Sequence, residues 1–422
     1  MLAILGNAFA IPEIRRKIAF TAAMLALYRL GAYIPAPGVD ANALDGIQDN
    51  FAGSDILGFL NLFSGGGLER LSLFALGIMP YITASIILQL LTVVVPALEK
   101  LQKEGEVGQQ KITQYTRYLT VVLSFLQSTG YVFLFQSFGA SGESVVGELT
   151  FAKLMLIVIS LTAGAVLLMW LGELITQRGI GNGISLMIFA SIVAGLPGGI
   201  SAWWNNPDQV FVVMMPFLAV AVIVGIVFVQ EGQRRIPVQY AKRVVGRKMT
   251  TGGSSYLPLR VNMAGVIPVI FAASIMAFPP TVGQLLNTPA ALDFAAFFSP
   301  DRWAYVVGEV FFIIIFTYFY TAVTFNPVDQ ADNLKKYGGF IPGVRPGRPT
   351  AEYLDRILSR LTFAGALYLG LVAALPTILI SQTAANFYFG GTSILIVVGV
   401  ALDTVKQLEA QLMMRNYEGF LK

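Results

Sequence analysis

Long stretches without a single charged residue leave this chain few ways to fold. A helix needs about 20 apolar residues to cross the hydrocarbon core of a membrane, which is about 30 Å thick. Charged residues make up only 12% of the 422 residues, about half of the usual share of roughly 25%. Because so few charges cannot cover a surface that faces water, lipid must be the main solvent. Six uncharged intervals can each hold one crossing: 71–98, 118–142, 154–172, 179–207, 209–230 and 261–292.

Four further crossings complete the predicted set. Residues 18–35 form the first crossing, and 303–328 form another that is interrupted only by Glu309. The interval 361–402 is too long for one crossing, and its polar centre at 381–392 divides it in two. Continuous apolar runs of this length indicate helices, whereas a membrane β-barrel needs short alternating segments. The sequence therefore predicts an all-α polytopic membrane protein with ten transmembrane helices. Hydropathy permits two five-helix halves, 1–200 and 209–422, although no internal sequence match supports them.

The distribution of lysine and arginine predicts the orientation of the chain. If the N-terminus is cytoplasmic, 24 of the 28 basic residues lie in cytoplasmic segments. Only Arg70, Lys153 and Arg302 face the other side, and Arg29 lies inside the first crossing. Positive residues concentrate on the cytoplasmic side of membrane proteins. Both termini are therefore predicted to be cytoplasmic.

Two residue types on which many catalytic and metal sites depend are missing from this chain. It contains no cysteine and no histidine, which excludes disulfides, Cys/His zinc sites, thiol nucleophiles and Ser-His-Asp triads. The glycines at 179–183 follow no strand and precede a hydrophobic span, so they favour a helix start over phosphate binding. We therefore expect neither catalysis nor a cofactor.

Ionisable residues within the membrane usually mark ion or substrate sites. Arg29 is the one such residue well inside a predicted span, whereas Glu173, Glu309 and Asp403 lie near span ends. Arg29 has two interpretations. Its side chain either reaches the membrane interface or forms a structural pair, or it binds a charged group of a substrate.

The apolar segment at 54–70 is too short to cross a membrane, and both of its flanks lie outside. It therefore rests on the surface as an interfacial helix, anchored by Phe59 and Phe63, or it folds inward as a re-entrant helix. Re-entrant backbone is tolerated only where protein or a water-filled cavity surrounds it. Gly65, Gly66 and Gly67 would provide the turn, because glycine accepts backbone angles that other residues avoid.

Isoleucines recur at helical spacing in the second predicted span, at positions 78, 82 and 86. Such a stripe normally packs in a core or faces lipid. Its alternative role, the lining of a pore, needs support from elsewhere in the chain.

Two long loops are predicted on the cytoplasmic side, at 231–260 and 326–356. In the first loop Ile236, Val238 and Tyr240 alternate with polar residues, which indicates a β-hairpin. This loop carries seven basic residues and one acidic residue, Glu231. The positive charge either anchors the topology or forms a docking surface for a polyanion such as RNA.

Six long strings, spread in order along the chain, carry a family resemblance: FLNLFSGGGLERLSLFALGIMPYITASIILQLLTVV (59–94), KITQYTRYLT (111–120), LMWLGELITQRGIGNGISLMIFASIVAGLP (168–197), VNMAGVIPVIFAASI (261–275), FNPVDQADNLKKYGGFIPGVRPGRPT (325–350) and FYFGGTSILIVVGV (387–400). They closely resemble the SecY family, the channel subunits of the bacterial protein-translocation complex. The resemblance covers essentially the whole chain. It implies a passive pore in the bacterial cytoplasmic (inner) membrane, through which unfolded preproteins cross and membrane helices pass sideways into lipid.

The resemblance also assigns roles to individual residues. It implies a ring of aliphatic side chains that closes the pore: Ile78, Ile82, Ile184, Ile188, Ile270 and Ile396. Segment 54–67 corresponds to the plug that blocks the resting channel, with these residues: Ile56, Leu57, Phe59, Leu60, Leu62, Phe63, Gly65, Gly66 and Gly67. Spans 2 and 3 would face spans 7 and 8 across a lateral gate.

The family works with SecE and SecG, with the SecA ATPase or the ribosome as motor, and with signal sequences, preproteins and membrane lipid. By resemblance, the residues that dock the motor or the ribosome are Arg234, Arg235, Lys242, Arg243, Arg247, Lys248 and Arg345. The tail after Tyr417 is only EGFLK, shorter than in many family members, which puts its role in docking in doubt. Two rival functions remain open: a secondary transporter for small solutes, and an insertase that opens only sideways.

Overall fold

The computed structural model describes most of the chain, with gaps at both ends and in several loops. The described residues are 11–39, 55–138, 150–204, 209–240, 244–245, 248–249, 253–286, 288–298, 302–383 and 391–419. Within these ranges the chain forms fourteen helices and five short strands.

The helices follow one another along nearly the whole chain. The first seven are α1 (Pro12–Gly31), α2 (Asp55–Ser64), α3 (Met79–Val94), α4 (Pro96–Lys103), α5 (Glu106–Phe138), α6 (Phe151–Arg178) and α7 (Gly183–Trp204). The next seven are α8 (Gln209–Glu231), α9 (Ile267–Leu286), α10 (Pro289–Phe297), α11 (Trp303–Thr324), α12 (Pro327–Lys336), α13 (Arg348–Thr383) and α14 (Gly391–Gly419). The strands are β1 (Gln233–Tyr240), β2 (Val244–Val245), β3 (Lys248–Met249), β4 (Ser254–Arg260) and β5 (Gly339–Phe340).

The predicted all-α membrane fold is confirmed. Each of the ten predicted crossings contains one of these helices: α1, α3, α5, α6, α7, α8, α9, α11, α13 and α14. Among the described residues, six helices are long and apolar enough to cross a membrane on their own, or up to seven if α3 and α4 form one broken span. The protein is therefore a multi-pass membrane protein, and the count of ten crossings stays a prediction.

The second predicted crossing is shorter than its uncharged interval. Residues 71–78 form turns rather than helix, and α3 begins only at Met79. At its other end the helix stops at Val94, and α4 continues at an angle of 99°. Proline explains both boundaries: Pro80 and Pro96 each stand at the first or second position of a helix, where a missing N–H costs least.

The glycine-rich corner at 179–183 starts a helix, as predicted. Gly181 has a φ of 83°, which favours glycine, and α7 begins two residues later. The side chain of Asn182 accepts hydrogen bonds from the backbone N–H groups of Ile184 (3.1 Å) and Ser185 (3.4 Å). Asn182 therefore caps the first turn of α7.

Most of the helices pack around one large apolar core, with α9 near its centre. α9 contacts α2, α3, α5, α11 and α14. By contrast, α8 leaves large apolar side chains such as Phe217, Val224 and Phe228 exposed on its outer face. Exposed apolar side chains on a long apolar helix are stable only in lipid or against another apolar surface.

The predicted hairpin at 231–260 is confirmed. β1 pairs antiparallel with β4, with Ile236 opposite Leu257, and the side chains of Ile236 and Val238 are buried. The structure adds a partner that the sequence did not indicate, because β5 from the second loop pairs with the other edge of β1. The two loops therefore form one unit with its own apolar core: Ile236, Val238, Leu259, Phe325, Ile341, Leu354, Ile357 and Leu358.

This sheet lies at the same end of the bundle as the start of α1 and the second half of α14. Ile14 of α1 packs with Leu408 and Leu412 of α14 in a small apolar cluster. Lys406 of α14 forms a 2.9 Å ion pair with Glu231, the residue that ends α8 just before the sheet. Helix α2 follows the opposite end of α1, so it lies at the opposite end of the bundle.

Candidate functional site

The short helix α2 packs inside the bundle. Its side chains Leu60, Leu62 and Phe63 are buried in the large core, and the helix contacts α7 and α9. An interfacial helix would leave one face to lipid headgroups, so the structure favours the re-entrant alternative. Ile56, Leu57 and Phe59 belong to α2 by their backbone, but their side chains lie outside the described part of the structure.

Two glycines end α2 in a Schellman motif. Gly65 and Gly66 have φ angles of 67° and 82°. Their N–H groups bond back to the carbonyls of Leu62 (3.2 Å) and Asn61 (3.0 Å). Left-handed backbone at this place costs glycine little and other residues more. The predicted turn is therefore present at Gly65 and Gly66, while Gly67 has no positive φ among the described residues.

The chain returns from α2 to α3 through a tightly hydrogen-bonded loop. The Asn61 side chain donates to Glu69 Oε2 (2.8 Å) and accepts from the Glu69 backbone N–H (3.2 Å). Leu71 is fully buried with a φ of 41°, and its carbonyl accepts from the Ala36 N–H at 2.9 Å. A buried leucine in this strained conformation indicates that the surrounding packing determines the loop. The helix and its return loop thus form one ordered unit.

Arg29, the charged residue inside the first predicted span, contacts this unit directly. Its guanidinium Nη1 donates to the Gly65 carbonyl at 2.6 Å, just beyond the end of α2. The structural-pair interpretation of Arg29 therefore has a specific partner in the structure.

The six isoleucines lie together in the core. Ile78, Ile82, Ile188, Ile270 and Ile396 are buried members of the core cluster that also contains the α2 side chains, and Ile184 packs against it. They come from four helices, with Ile78 immediately before α3. A Cβ on Gly172 of α6 would lie 3.5 Å from Ile78 and 3.6 Å from Ile184, so these two side chains approach the same point. Their role as a pore ring stays a prediction.

A seam between helices runs beside this cluster. α3 and α5, which occupy spans 2 and 3, both contact α9, which occupies span 7. At the seam, the Ser274 hydroxyl of α9 lies 3.9 Å from the sulfur of Met79 in α3. This Ser–Met contact is at most a weak hydrogen bond.

Two further ionisable residues, Glu173 and Glu309, lie in helices of the bundle. Glu173 of α6 receives two hydrogen bonds from Arg117 of α5, at 2.9 and 2.5 Å. Glu309 of α11 is buried, and its Oε1 has no hydrogen-bond partner within the described ranges. The described residues also contain no group of three or more His, Cys, Asp or Glu side chains that could hold a metal ion.

The predicted docking residues lie on the sheet unit where the structure describes them. Arg234 and Arg235 are exposed on β1. Lys242, Arg243 and Arg247 lie outside the described residues, and Lys248 is described only by its backbone in β3. The sequence missed the link through β5, which pairs the second loop with Gln239 and Tyr240 at the end of β1.

Arg345 is exposed on a loop with a fixed backbone. The Arg345 carbonyl accepts a 2.8 Å hydrogen bond from the Thr350 hydroxyl. Gly343 and Gly347 have φ angles of 84° and 98°, and the neighbouring Val344 packs against the core of the sheet unit. The loop therefore presents the Arg345 side chain outward from a defined position.

Comparison with known sequences gives a consistent result. The family model for SecY matches residues 72–405 of this chain. Protein translocase subunit SecY of Corynebacterium glutamicum is 51% identical over 440 residues, which covers 99% of this chain and 99% of that protein. Protein translocase subunit SecY of Streptomyces coelicolor is 49% identical over 446 residues, which covers 100% of both chains.

Solved structures share the fold. A structure of a protein conducting channel matches with a TM-score of 0.62 and 20% identity, covering 93% of this chain and 91% of that chain. A structure concerned with the plug domain of the SecY protein matches with a TM-score of 0.61 and 21% identity over the same shares, 93% and 91%. Sec61 in a canine ribosome-channel complex matches with a TM-score of 0.60 and 20% identity, again over 93% and 91%.

Proposed function

Because this chain belongs to the SecY family, we propose that it forms a protein-conducting channel for unfolded preproteins. The channel also releases membrane helices sideways into lipid. In this proposal the chain is the channel subunit of a protein translocase, as its 51% identical relative from Corynebacterium glutamicum is named.

The observation that best supports this function is the position of α2. A short apolar helix enters the bundle from one end and packs in the same core cluster as the six isoleucines. We propose that α2 is the plug and that the isoleucines form the constriction beneath it. A dry aliphatic constriction resists ions by dewetting, and it forms no hydrogen bonds that would hold a passing chain. Such a seal suits a conduit for many different sequences.

The seam between α3 or α5 and α9 is the proposed lateral gate. The Ser274–Met79 contact across it is weakly polar, and α3 and α9 on its two sides both contribute isoleucines to the proposed constriction. A hydrophobic segment that enters the constriction would therefore reach lipid by separating these helices. The proposed halves, 1–200 and 209–422, would move relative to each other at this seam.

The channel is passive in this proposal. The sequence contains no nucleotide-binding motif, so the energy for translocation comes from a partner. The proposed motors are SecA and the ribosome, and the proposed accessory subunits are SecE and SecG. A structural neighbour of 20% identity, Sec61, was solved in a ribosome-channel complex.

The sheet unit is the proposed docking surface for these partners. Arg234 and Arg235 on β1 and Arg345 on the second loop are exposed side chains of one folded unit. Binding to ribosomal RNA phosphates would weaken as the salt concentration rises. The reason is that binding releases counterions from the RNA, and a high salt concentration opposes this release. The excess of basic residues on this side supports a cytoplasmic position for the sheet, and membership of the SecY family supports the bacterial cytoplasmic membrane as the proposed location.

Crosslinking of a stalled preprotein tests the function. The chain has no cysteine, so single cysteines can be introduced without background. A cysteine at Ile82, Ile188 or Ile270 should crosslink to the stalled preprotein, whereas a cysteine at Val220, which is exposed on α8, should not. Crosslinking that favours Val220 would overturn the channel proposal. Saturable, ion-coupled uptake of a small solute would support the transporter alternative instead.

A further inference from the structure

We propose that Arg29 is a latch that holds the plug helix α2 in its resting position, supported by Tyr28 and Ser191. This inference rests on the proposed role of α2 as a plug. Tyr28 and Arg29 of α1 hydrogen-bond to the chain where α2 ends, and Ser191 of α7 hydrogen-bonds to Tyr28. Arg29 is thus a positioning residue of the gate, and this role does not require any contact between Arg29 and a translocated chain.

The contact of Arg29 has the features of a strong hydrogen bond. Its guanidinium donates to the Gly65 carbonyl at 2.6 Å, a distance typical of charge-assisted bonds. The carbonyl end of a helix carries partial negative charge, so a cation placed there is stabilised by the helix dipole as well. A charged residue within a membrane span is costly and needs compensation. The end of α2 provides that compensation for Arg29.

Tyr28 and Ser191 extend the same contact on the buried side. The Tyr28 hydroxyl lies 3.2 Å from the Ser64 carbonyl and also hydrogen-bonds with the Ser191 hydroxyl. Ser191 lies 2.9 Å from the Met187 carbonyl, to which it can donate. When Ser191 donates to Met187, the Tyr28 hydroxyl is left as the donor to both the Ser191 hydroxyl and the Ser64 carbonyl, and its one proton is shared between these two acceptors. The neutral hydroxyl contacts are therefore weaker than the Arg29 bond, which makes Arg29 the main residue of the latch.

The end of α2 leaves room for these side chains only because residue 65 is glycine. A Cβ on Gly65 would lie 2.8 Å from Arg29 Nη1, 3.1 Å from the Tyr28 hydroxyl and 3.3 Å from the Ser191 Cα. Gly66 provides a matched comparison. Its φ is also positive, but its Cβ would approach only Glu69, at 3.6 Å. An alanine at either position strains the backbone, whereas only an alanine at 65 crowds the latch.

Arg29 shares the aromatic ring of Tyr33 with Arg70, and Arg70 therefore serves as a control that distinguishes a latch from a simple surface anchor. Its guanidinium lies 5.4 Å from the ring centre of Tyr33, and Arg70 lies over the same ring at 4.3 Å. Arg70 pairs with Glu69 at 3.6 Å, and its described contacts reach α2 indirectly, through the hydrogen bond between Glu69 and Asn61. A change of Arg70 therefore alters the charge and the aromatic contact at this place but leaves the Gly65 carbonyl bonded.

The test measures how often the plug leaves its place in the complete channel complex. A cysteine at Leu60, a buried position on α2, is labelled with a membrane-impermeant maleimide from the plug side, and resting ion conductance is recorded in planar bilayers. Arg29→Gln should raise both the labelling rate and the conductance about ten- to hundredfold, the effect of losing one hydrogen bond to a charged group. Arg29→Lys should restore part of the closure. Arg70→Gln should change both readouts far less than Arg29→Gln does.

The alanine pair provides a second measurement that does not remove a charge. Gly65→Ala should raise labelling of Leu60→Cys more than Gly66→Ala does. Equal effects of Arg29→Gln and Arg70→Gln, or of the two alanines, would overturn the latch. Deletion of residues 57–65 distinguishes this failure from failure of the plug itself. If the deletion causes a leak but Arg29→Gln changes neither the labelling rate nor the conductance, only the latch is refuted. If the deletion causes no leak, the plug function is refuted.

Discussion

The hydroxyl of Ser274 in α9 lies 3.9 Å from the sulfur of Met79 in the first turn of α3. Both residues are buried, and Ser274 also donates to the Ile270 carbonyl one turn earlier at 2.8 Å. Ile270 is one of the isoleucines of the proposed constriction. The lateral seam and the constriction therefore share one turn of α9, and we expect them to open together.

Linking the two sides of this seam should block lateral release. We expect a short bismaleimide linker between Met79→Cys and Ser274→Cys to reduce insertion of a single-span membrane protein to background. The reason is that α3 and α9 could no longer separate. The measurement is carbonate-resistant insertion into inverted membrane vesicles. Each single-cysteine variant treated with the same reagent is the control, and normal insertion by the linked channel would show that the gate lies elsewhere.

Polar substitutions in the constriction should make the resting channel leak. Burying an unsatisfied amide costs about 1–3 kcal/mol, so Ile188→Asn or Ile82→Asn should raise the conducting fraction about ten- to hundredfold. The seal favours the closed state, so these variants should also accept weaker signal sequences. Ion conductance in planar bilayers without preprotein is the readout. Ile157→Asn is a matched control, because Ile157 is equally buried but lies in α6 outside the six isoleucines. Similar leaks from Ile157→Asn would indicate disturbed packing.

Deleting residues 57–65 should leave the protein inserted and partly active, with a flickering leak. The deleted segment contributes apolar contacts and the hydrogen bonds at the end of α2, so closure depends on a small difference in free energy. Single-channel recordings and abundance in the membrane are the measurements. Loss of insertion after this deletion would mean that α2 is required for folding and is not a gate.

Charge reversal at Arg345 should impair export without changing topology or abundance. Loss of one partner of a hydrogen-bonded charge pair that is buried in an interface costs about 2–5 kcal/mol. If Arg345 forms such a pair in the complex, SecA-driven translocation should fall at least about tenfold in Arg345→Glu. Translocation of a preprotein into inverted vesicles measures this effect. Arg348→Glu is the control, because Arg348 is 91% exposed and forms only a surface pair with Glu352 at 3.3 Å. Normal export by Arg345→Glu would remove this residue from the docking surface.

Some features of this protein could be predicted because they depend on neighbouring residues alone. Apolar runs between charges indicated helices that lie in lipid, and alternation of Ile236 and Val238 indicated the hairpin. Residues 65 and 66 were expected at a turn because glycine accepts the backbone angles that were found there. The start of the second helix within the interval 71–98 could not be read from the sequence, because the turns at 71–78 are as free of charge as the helix that follows.

The sequence by itself determined that this chain is a multi-pass helical membrane protein, since hydropathy and backbone hydrogen bonding act along short stretches of chain. Only the tertiary structure decided which distant residues meet. It joined β5 to the hairpin, gathered isoleucines from four helices into one cluster, and placed Arg29 against the Gly65 carbonyl. No local pattern specifies such contacts, because they depend on how complete helices pack against one another. The proposed gate depends on two of these long-range contacts, the isoleucine cluster and the Arg29–Gly65 hydrogen bond.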